Sequence, residues 1–194
     1  MYYLFINTLS EPSYLALFDE KRNIIDSQNW PGKQKEFDTL SEKIDEFLSK
    51  NSIHYKQLSG IVVMVWPGGF TGTRVTTLVA NSLAYSFGVP LFALTVWDFF
   101  AYQDAPLPWM IAITRKEVLL WQDQKNPVLS QMSDLPEGIY STLAPIDFDS
   151  PKHTIQTRDD HARVIANLAL KNPQNKIQPL YAKDPNITLK SNGS

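Results

Sequence analysis

The residues best placed to do chemistry surround a glycine-rich turn. Residues 61–66 are a run of large apolar side chains with Val at three positions, closed by Pro67; Gly68 and Gly69 then precede Phe70, Thr71, Gly72, Thr73 and Arg74. A glycine-rich turn feeding a helix N-terminus is the architecture of a phosphate cradle, because free N–H groups and the positive end of the helix dipole favour an anion. The cradle's usual lysine is absent: a Walker loop needs Gly-Lys-Ser/Thr where this chain reads Gly69-Phe70-Thr71-Gly72. The three glycines of a dinucleotide fingerprint are absent as well. The other reading is a tight strand-to-helix turn that holds no ligand; Arg74, one turn into the helix, either holds an anion or simply pairs with a nearby carboxylate or carbonyl.

Other catalytic chemistries find little support. There are no cysteines, which excludes disulfides, thiolate catalysis and Cys-ligated zinc. The three histidines, His54, His153 and His161, stand in no metal-binding spacing and read as surface or loop residues. Ser10 or Ser82 with His54 suggests no nucleophile, base and orienter. Asp159 and Asp160 read as first-turn acids favoured by a helix dipole. A net charge of −2 gives no basic footprint for direct RNA binding, so any RNA role runs through a partner. The start MYYLFINTLS has neither the basic region nor the apolar core of a secretory signal, and no apolar run is long enough to span a bilayer, so a cytoplasmic protein is expected.

The elements that must position these residues follow from periodicity. Residues 2–7, 14–18 and 24–28 read as an antiparallel meander with short turns. Phe37, Leu40, Ile44, Phe47 and Leu48 recur at helical spacing over residues 35–50. The apolar run 61–66 fits a strand buried on both faces. Thr71 is the expected N-cap of a helix running to about Phe87, stopped by Gly88 and Pro90. A strand at 90–94 and a short helix at 97–102 follow. The Pro-rich stretch 104–108 marks a boundary, giving a first unit of residues 1–104 and a smaller second unit of 105–194. The second unit is expected to hold a hairpin (109–114 and 118–122), a strand at 139–143 and a helix from Thr157 to about Lys171. No internal repeat stands out. The fold class is α/β.

Trp66-Pro67-Gly68-Gly69-Phe70-Thr71-Gly72-Thr73-Arg74 resembles the G-P-G-S-F-T-G-x-R signature of the bacterial TsaB (YeaZ) family. Ile6-Asn7-Thr8 stands where that family has I-D-T-S, and Pro179 to Lys183 where it has P-x-Y-L-R. The chain departs from the pattern at Trp66, Gly69, Asn7 and Ala182-Lys183. The resemblance implies an actin-like ATPase (ribonuclease H-like) fold of two small subdomains, the second abbreviated. It implies a non-catalytic scaffold or regulatory subunit of the complex that makes N6-threonylcarbamoyladenosine in tRNA. The implied partners are a TsaD-like threonylcarbamoyltransferase and a TsaE-like ATPase, or a second copy of the chain as a homodimer, with tRNA met only indirectly. The alternatives are a nucleotide hydrolase or peptidase of the same fold, or a homodimeric paralogue with a different partner.

The resemblance also assigns residues. Asn7 replaces the aspartate that organises hydrated magnesium in active members of the fold, so Asn7 and Thr8 are weak candidates for nucleotide and no cofactor or metal is implied. In the family, two helices of the first subdomain pack on the equivalent pair of the partner. Here that points to Phe70, Thr71, Arg74, Val75, Thr76, Leu78, Val79, Ala80, Leu83 and Ala84. The small ladder Thr76, Ala80 and Ala84 is an expected docking face, with every apolar position facing the chain's own core as the alternative.

Overall fold

A computed structural model describes residues 1–10, 12–31, 39–65, 70–102, 104–114, 116–123, 127–142, 153–157 and 160–179. The turn at 66–69, the expected helix start at 35–38, Asp159 and residues 180–194 lie outside these. Strands β1 (Tyr2–Asn7), β2 (Ser13–Asp19) and β3 (Ile24–Trp30) are followed by α1 (Leu40–Lys50), β4 (Leu58–Val65), α2 (Phe70–Phe87), β5 (Leu91–Thr95) and α3 (Val96–Tyr102). Then come β6 (Trp109–Ala112), β7 (Glu117–Trp121), β8 (Val128–Gln131), β9 (Gly138–Thr142), β10 (His153–Thr157) and α4 (His161–Asn167).

The strands form two five-stranded sheets of the same plan. In the first, ordered β3-β2-β1-β4-β5, an antiparallel meander is extended by two parallel strands. The second runs β10-β9-β6-β7-β8 and repeats that scheme strand for strand: a meander β6-β7-β8, then parallel β9 and β10. This internal repeat escaped the sequence reading, as did β8 and β10. Where α1 stands in the first unit, the second has only a 3₁₀ turn over Met132–Asp134.

Alternation along β1 distributes its side chains to two cores. Leu4 and Ile6 join α1, α2 and the inner residues of β4 in one cluster, whereas Phe5 joins Val62, Met64, α3, α4 and the second sheet in another. A third, small cluster of Met110, Val118, Leu120, Met132, Leu135 and Tyr140 lies on the far face of the second sheet. The helices α3 and α4 each follow the last strand of their sheet, and Phe99, Phe100, Val164 and Ile165 are buried together in the second cluster. Among the described residues, no helix is long and apolar enough to cross a membrane.

Several boundaries differ from expectation for local reasons. Thr71 lies inside α2, one residue past its first, and so is not its N-cap. Thr157 ends β10 instead of starting a helix; Asp160 is the true N-cap of α4, its carboxylate accepting from Arg163 N–H at 2.9 Å. That helix stops at Asn167, short of Lys171. The chain then returns to the first sheet, where Gln174 pairs with Leu91 and the Asn81 side chain exchanges two hydrogen bonds with the backbone of Ile177. The turn between β2 and β3 is tied to the end of α4, since Arg22 Nε donates to the Leu168 carbonyl at 3.0 Å.

Gly60 is fixed by close approach. A Cβ there would sit 2.6 Å from Phe92 Cε2 and 3.0 Å from Tyr3 Cδ1, in an aromatic group where Tyr3 stacks on Phe18 and meets the Phe92 edge. Gly60→Ala is therefore expected to cost about 1–3 kcal/mol through overpacking, measured by urea unfolding.

Candidate functional site

The end of β1 carries Asn7, a fully buried side chain. Its Oδ1 accepts the backbone N–H groups of Leu9 (3.0 Å) and Ser10 (3.2 Å), an Asx turn that closes the first loop on itself. These amides are the groups a phosphate would need, and the Asn7 side chain already takes them. With Oδ1 so fixed, the amide nitrogen must be the donor. It donates to Ser10 Oγ at 3.0 Å and lies 2.9 Å from His161 Nε2. Thr8 Oγ1 is hydrogen-bonded to Thr76 Oγ1, joining the loop to α2.

His161 opens α4 and is only 6% exposed, contrary to the surface position expected of all three histidines. Its ring stacks on Tyr14 at 4.1 Å and meets the edges of Phe5 and Phe99. Burial pushes the Tyr14 hydroxyl above its ordinary range, a hydrogen bond with Ser27 opposes that, and the Asp160 carboxylate adds to it. A pocket of about 230 Å³ beside the ring is lined by Pro12, Tyr14, Asn29, Asp160, His161 and Ala162. His54 is an exposed cap of a 3₁₀ turn, and His153 bonds the Leu135 carbonyl at 3.1 Å.

The cluster superficially offers a serine and a base, Ser10 Oγ being 3.3 Å from His161 Nε2. Its hydrogen bonds point elsewhere. Ser10 directs its single hydroxyl proton to the Pro12 carbonyl at 2.9 Å and so turns a lone pair towards Nε2, which also meets the Asn7 amide at 2.9 Å. A serine whose proton is held by a carbonyl is not activated by the imidazole. Sequence reasoning missed this grouping because 154 positions separate Asn7 from His161; only the Asn7 and Ser10 spacing, an Asx-turn pattern, was there to be read. Among the described residues no group of three or more His, Asp or Glu is arranged to hold a metal ion.

The second locus is α2. Thr76, Thr77, Ala80 and Ala84 are buried, with Ala80 and Ala84 packed in the first core cluster and Val79 and Leu83 half-buried against it. The small ladder expected to meet a partner thus faces the chain's own sheet, where its lack of bulk lets the helix lie close. Opposite it, Arg74, Leu78, Ser82 and Tyr85 are exposed, Leu78 by 66% and Tyr85 by 91%. Their spacing of four, four and three puts them on one stripe. Val75 borders that stripe, while Phe70 and Thr71 belong to the first turn of the helix. The neighbouring α1 buries Leu40, Ile44, Phe47 and Leu48 and turns Glu42, Asp45 and Glu46 to solvent.

Residues 35–126, just under half of the chain, match the family model described as TsaD: tRNA N6-adenosine threonylcarbamoyltransferase. No curated protein sequence matches significantly. Among solved structures, an uncharacterised Pseudomonas aeruginosa protein with similarity to peptidase YeaZ superposes with a TM-score of 0.66 at 16% identity, covering 94% of this chain and 99% of that one. YeaZ from Pseudomonas aeruginosa superposes with a TM-score of 0.57 at 16% identity, covering 84% and 88%. The shared feature at such identities is the fold, two mixed sheets with helices.

Proposed function

Starting from a chain that is TsaB/YeaZ-like in fold and carries a segment matching the TsaD family, we propose that it is a non-catalytic subunit of the system that makes N6-threonylcarbamoyladenosine in tRNA. It holds the threonylcarbamoyltransferase through the outer face of α2. The observation that carries this reading is the Arg74, Leu78, Ser82 and Tyr85 stripe, two large apolar side chains on an 18-residue helix whose opposite face is already satisfied. Aromatic and aliphatic side chains at the centre of a patch supply most of an interface's energy.

Charge narrows the partner surface. The acids Glu42, Asp45 and Glu46 are exposed on the neighbouring α1, so a partner that reaches from the α2 stripe over α1 meets them with basic side chains. Rim charges act mainly on the association rate, which is expected to fall as salt rises.

The non-catalytic reading draws on the first loop. Asn7 supplies a carboxamide where a magnesium-organising carboxylate would stand, and its Oδ1 already takes the loop amides. Purified chain and transferase, mixed at micromolar concentration, are expected to sediment together, while the chain alone turns over neither nucleotide nor peptide. Self-association of the chain with no complex would instead favour a homodimer that uses the same stripe. Magnesium-dependent nucleotide turnover by the chain alone would overturn the reading.

A further inference from the structure

The segment after α4 crosses to the β5 edge of the first sheet and ends beside α2. Gln174 exchanges two backbone hydrogen bonds with Leu91, the first residue of β5, at 2.8 and 3.0 Å. A little further on, Ile177 is 2% exposed and enters the first core cluster, on the face of the sheet that α1 and α2 cover. Asn81 holds it there. Its Nδ2 donates to the Ile177 carbonyl at 2.9 Å, and its Oδ1 accepts the Ile177 N–H at 2.8 Å. A carboxamide used in this way stands in for one peptide unit of a neighbouring strand, which needs a donor and an acceptor on the same short side chain.

Asn81 also adjoins the outer stripe of α2. It follows Leu78 by three residues and precedes Tyr85 by four, the spacings at which side chains are neighbours on a helix surface. The strap 174–178 therefore meets α2 along one flank of that stripe. The other flank belongs to α1, because α1 follows β3 whereas the strap pairs with β5, and these strands are the two edges of the sheet. The flanks differ in charge: α1 exposes Glu42, Asp45 and Glu46, while the strap exposes Lys176 and Gln178 on either side of Ile177. Among the described residues Lys176 is in no ion pair.

Resting on the reading that this stripe docks the transferase, we propose that the strap is the second wall of the docking face. Lys176 meets an acidic edge of the same partner, and Asn81 is the positioning residue that keeps the strap beside Leu78 and Tyr85. A face that is negative over α1 and positive over the strap orients a partner carrying the opposite signs and opposes the reversed approach. The apolar stripe alone would leave that orientation open, since apolar contact is non-directional.

The test is sedimentation velocity of the transferase with the wild-type chain, with Lys176→Glu and with Asn81→Leu, at about 0.05 M and about 0.5 M salt. Amide hydrogen exchange of each free chain accompanies it. Lys176→Glu is expected to weaken the complex about tenfold at the lower salt and to differ little from wild type at the higher. Asn81→Leu keeps the side-chain bulk but neither hydrogen bond. In it the protection of the Ile177 amide should fall about tenfold or more, and the complex should weaken at both salt concentrations, while amides of β4 keep their protection. Wild-type affinity of Lys176→Glu at the lower salt, with a wild-type complex that forms, would overturn the strap's part and leave the α2 reading standing. A loss that does not shrink with salt would overturn the acidic edge. Failure of the wild-type chain to bind would overturn both readings. Lys176 is exposed, so its reversal reads the docking face even where Asn81→Leu does not fold.

Discussion

Ala80→Asp is expected to unfold the protein or cost it about 4 kcal/mol or more, whereas Leu78→Asp, two residues away, leaves stability within about 0.5 kcal/mol. The contrast follows from helix geometry. Two positions along a helix differ by roughly 200°, and α2 uses that separation to divide core from solvent. Ala80 is fully buried in the same apolar cluster as Leu4, Ile6, Ile61 and Val63 of the sheet. A carboxylate there must lose its hydration with no partner to replace it. Leu78 is 66% exposed, and an acid in its place stays in water. Denaturant unfolding of the two variants checks this, and equal losses of stability would show that the face of α2 is wrongly assigned. A charge at Ala80 is for the same reason no test of docking.

Trp109→Ala carries the second large expectation, a loss of about 3–5 kcal/mol. Trp109 begins β6 and is 2% exposed, stacked on Phe100 of α3 at 4.7 Å and tilted against Trp97 at 5.8 Å. Its indole N–H donates to the Ala105 carbonyl at 2.9 Å, which fixes the path of the chain as it passes from α3 into the second sheet. Truncation empties a volume that aromatic rings from α3 and Trp121 of β7 cannot collapse to fill, and orphans a carbonyl. Because the indole joins the two sheets' shared core, the loss should appear as one cooperative shift of the unfolding midpoint. A shift below about 1 kcal/mol would mean that this core is loosely packed.

Much of the first unit was legible in the sequence. The meander, the buried strand and the helix after it rest on strong local signals: short polar turns, an unbroken apolar run and a Gly-Pro stop. The second unit was harder. β8 is a four-residue edge strand, largely exposed, so its pattern does not alternate, and the helix that would mark the repeat is reduced to the turn at Met132–Asp134. A repeat whose copies differ in helices leaves no fixed period to detect. The fold tells which neighbour a small ladder serves; the residues Thr76, Ala80 and Ala84 only say that something comes close. His161 was illegible for another reason, because its partners are set by the meeting of β1 with α4, and spacing along the chain carries no trace of that.

The central claim is that the outer stripe of α2 is the docking face for the transferase. Sedimentation velocity of the transferase with the wild-type chain, with Leu78→Asp and with Tyr85→Asp tests it most directly. The expected result is a complex for the wild-type chain and an affinity about 100-fold weaker or worse for each variant, with the variants folded. Complexes of equal affinity for all three would contradict it.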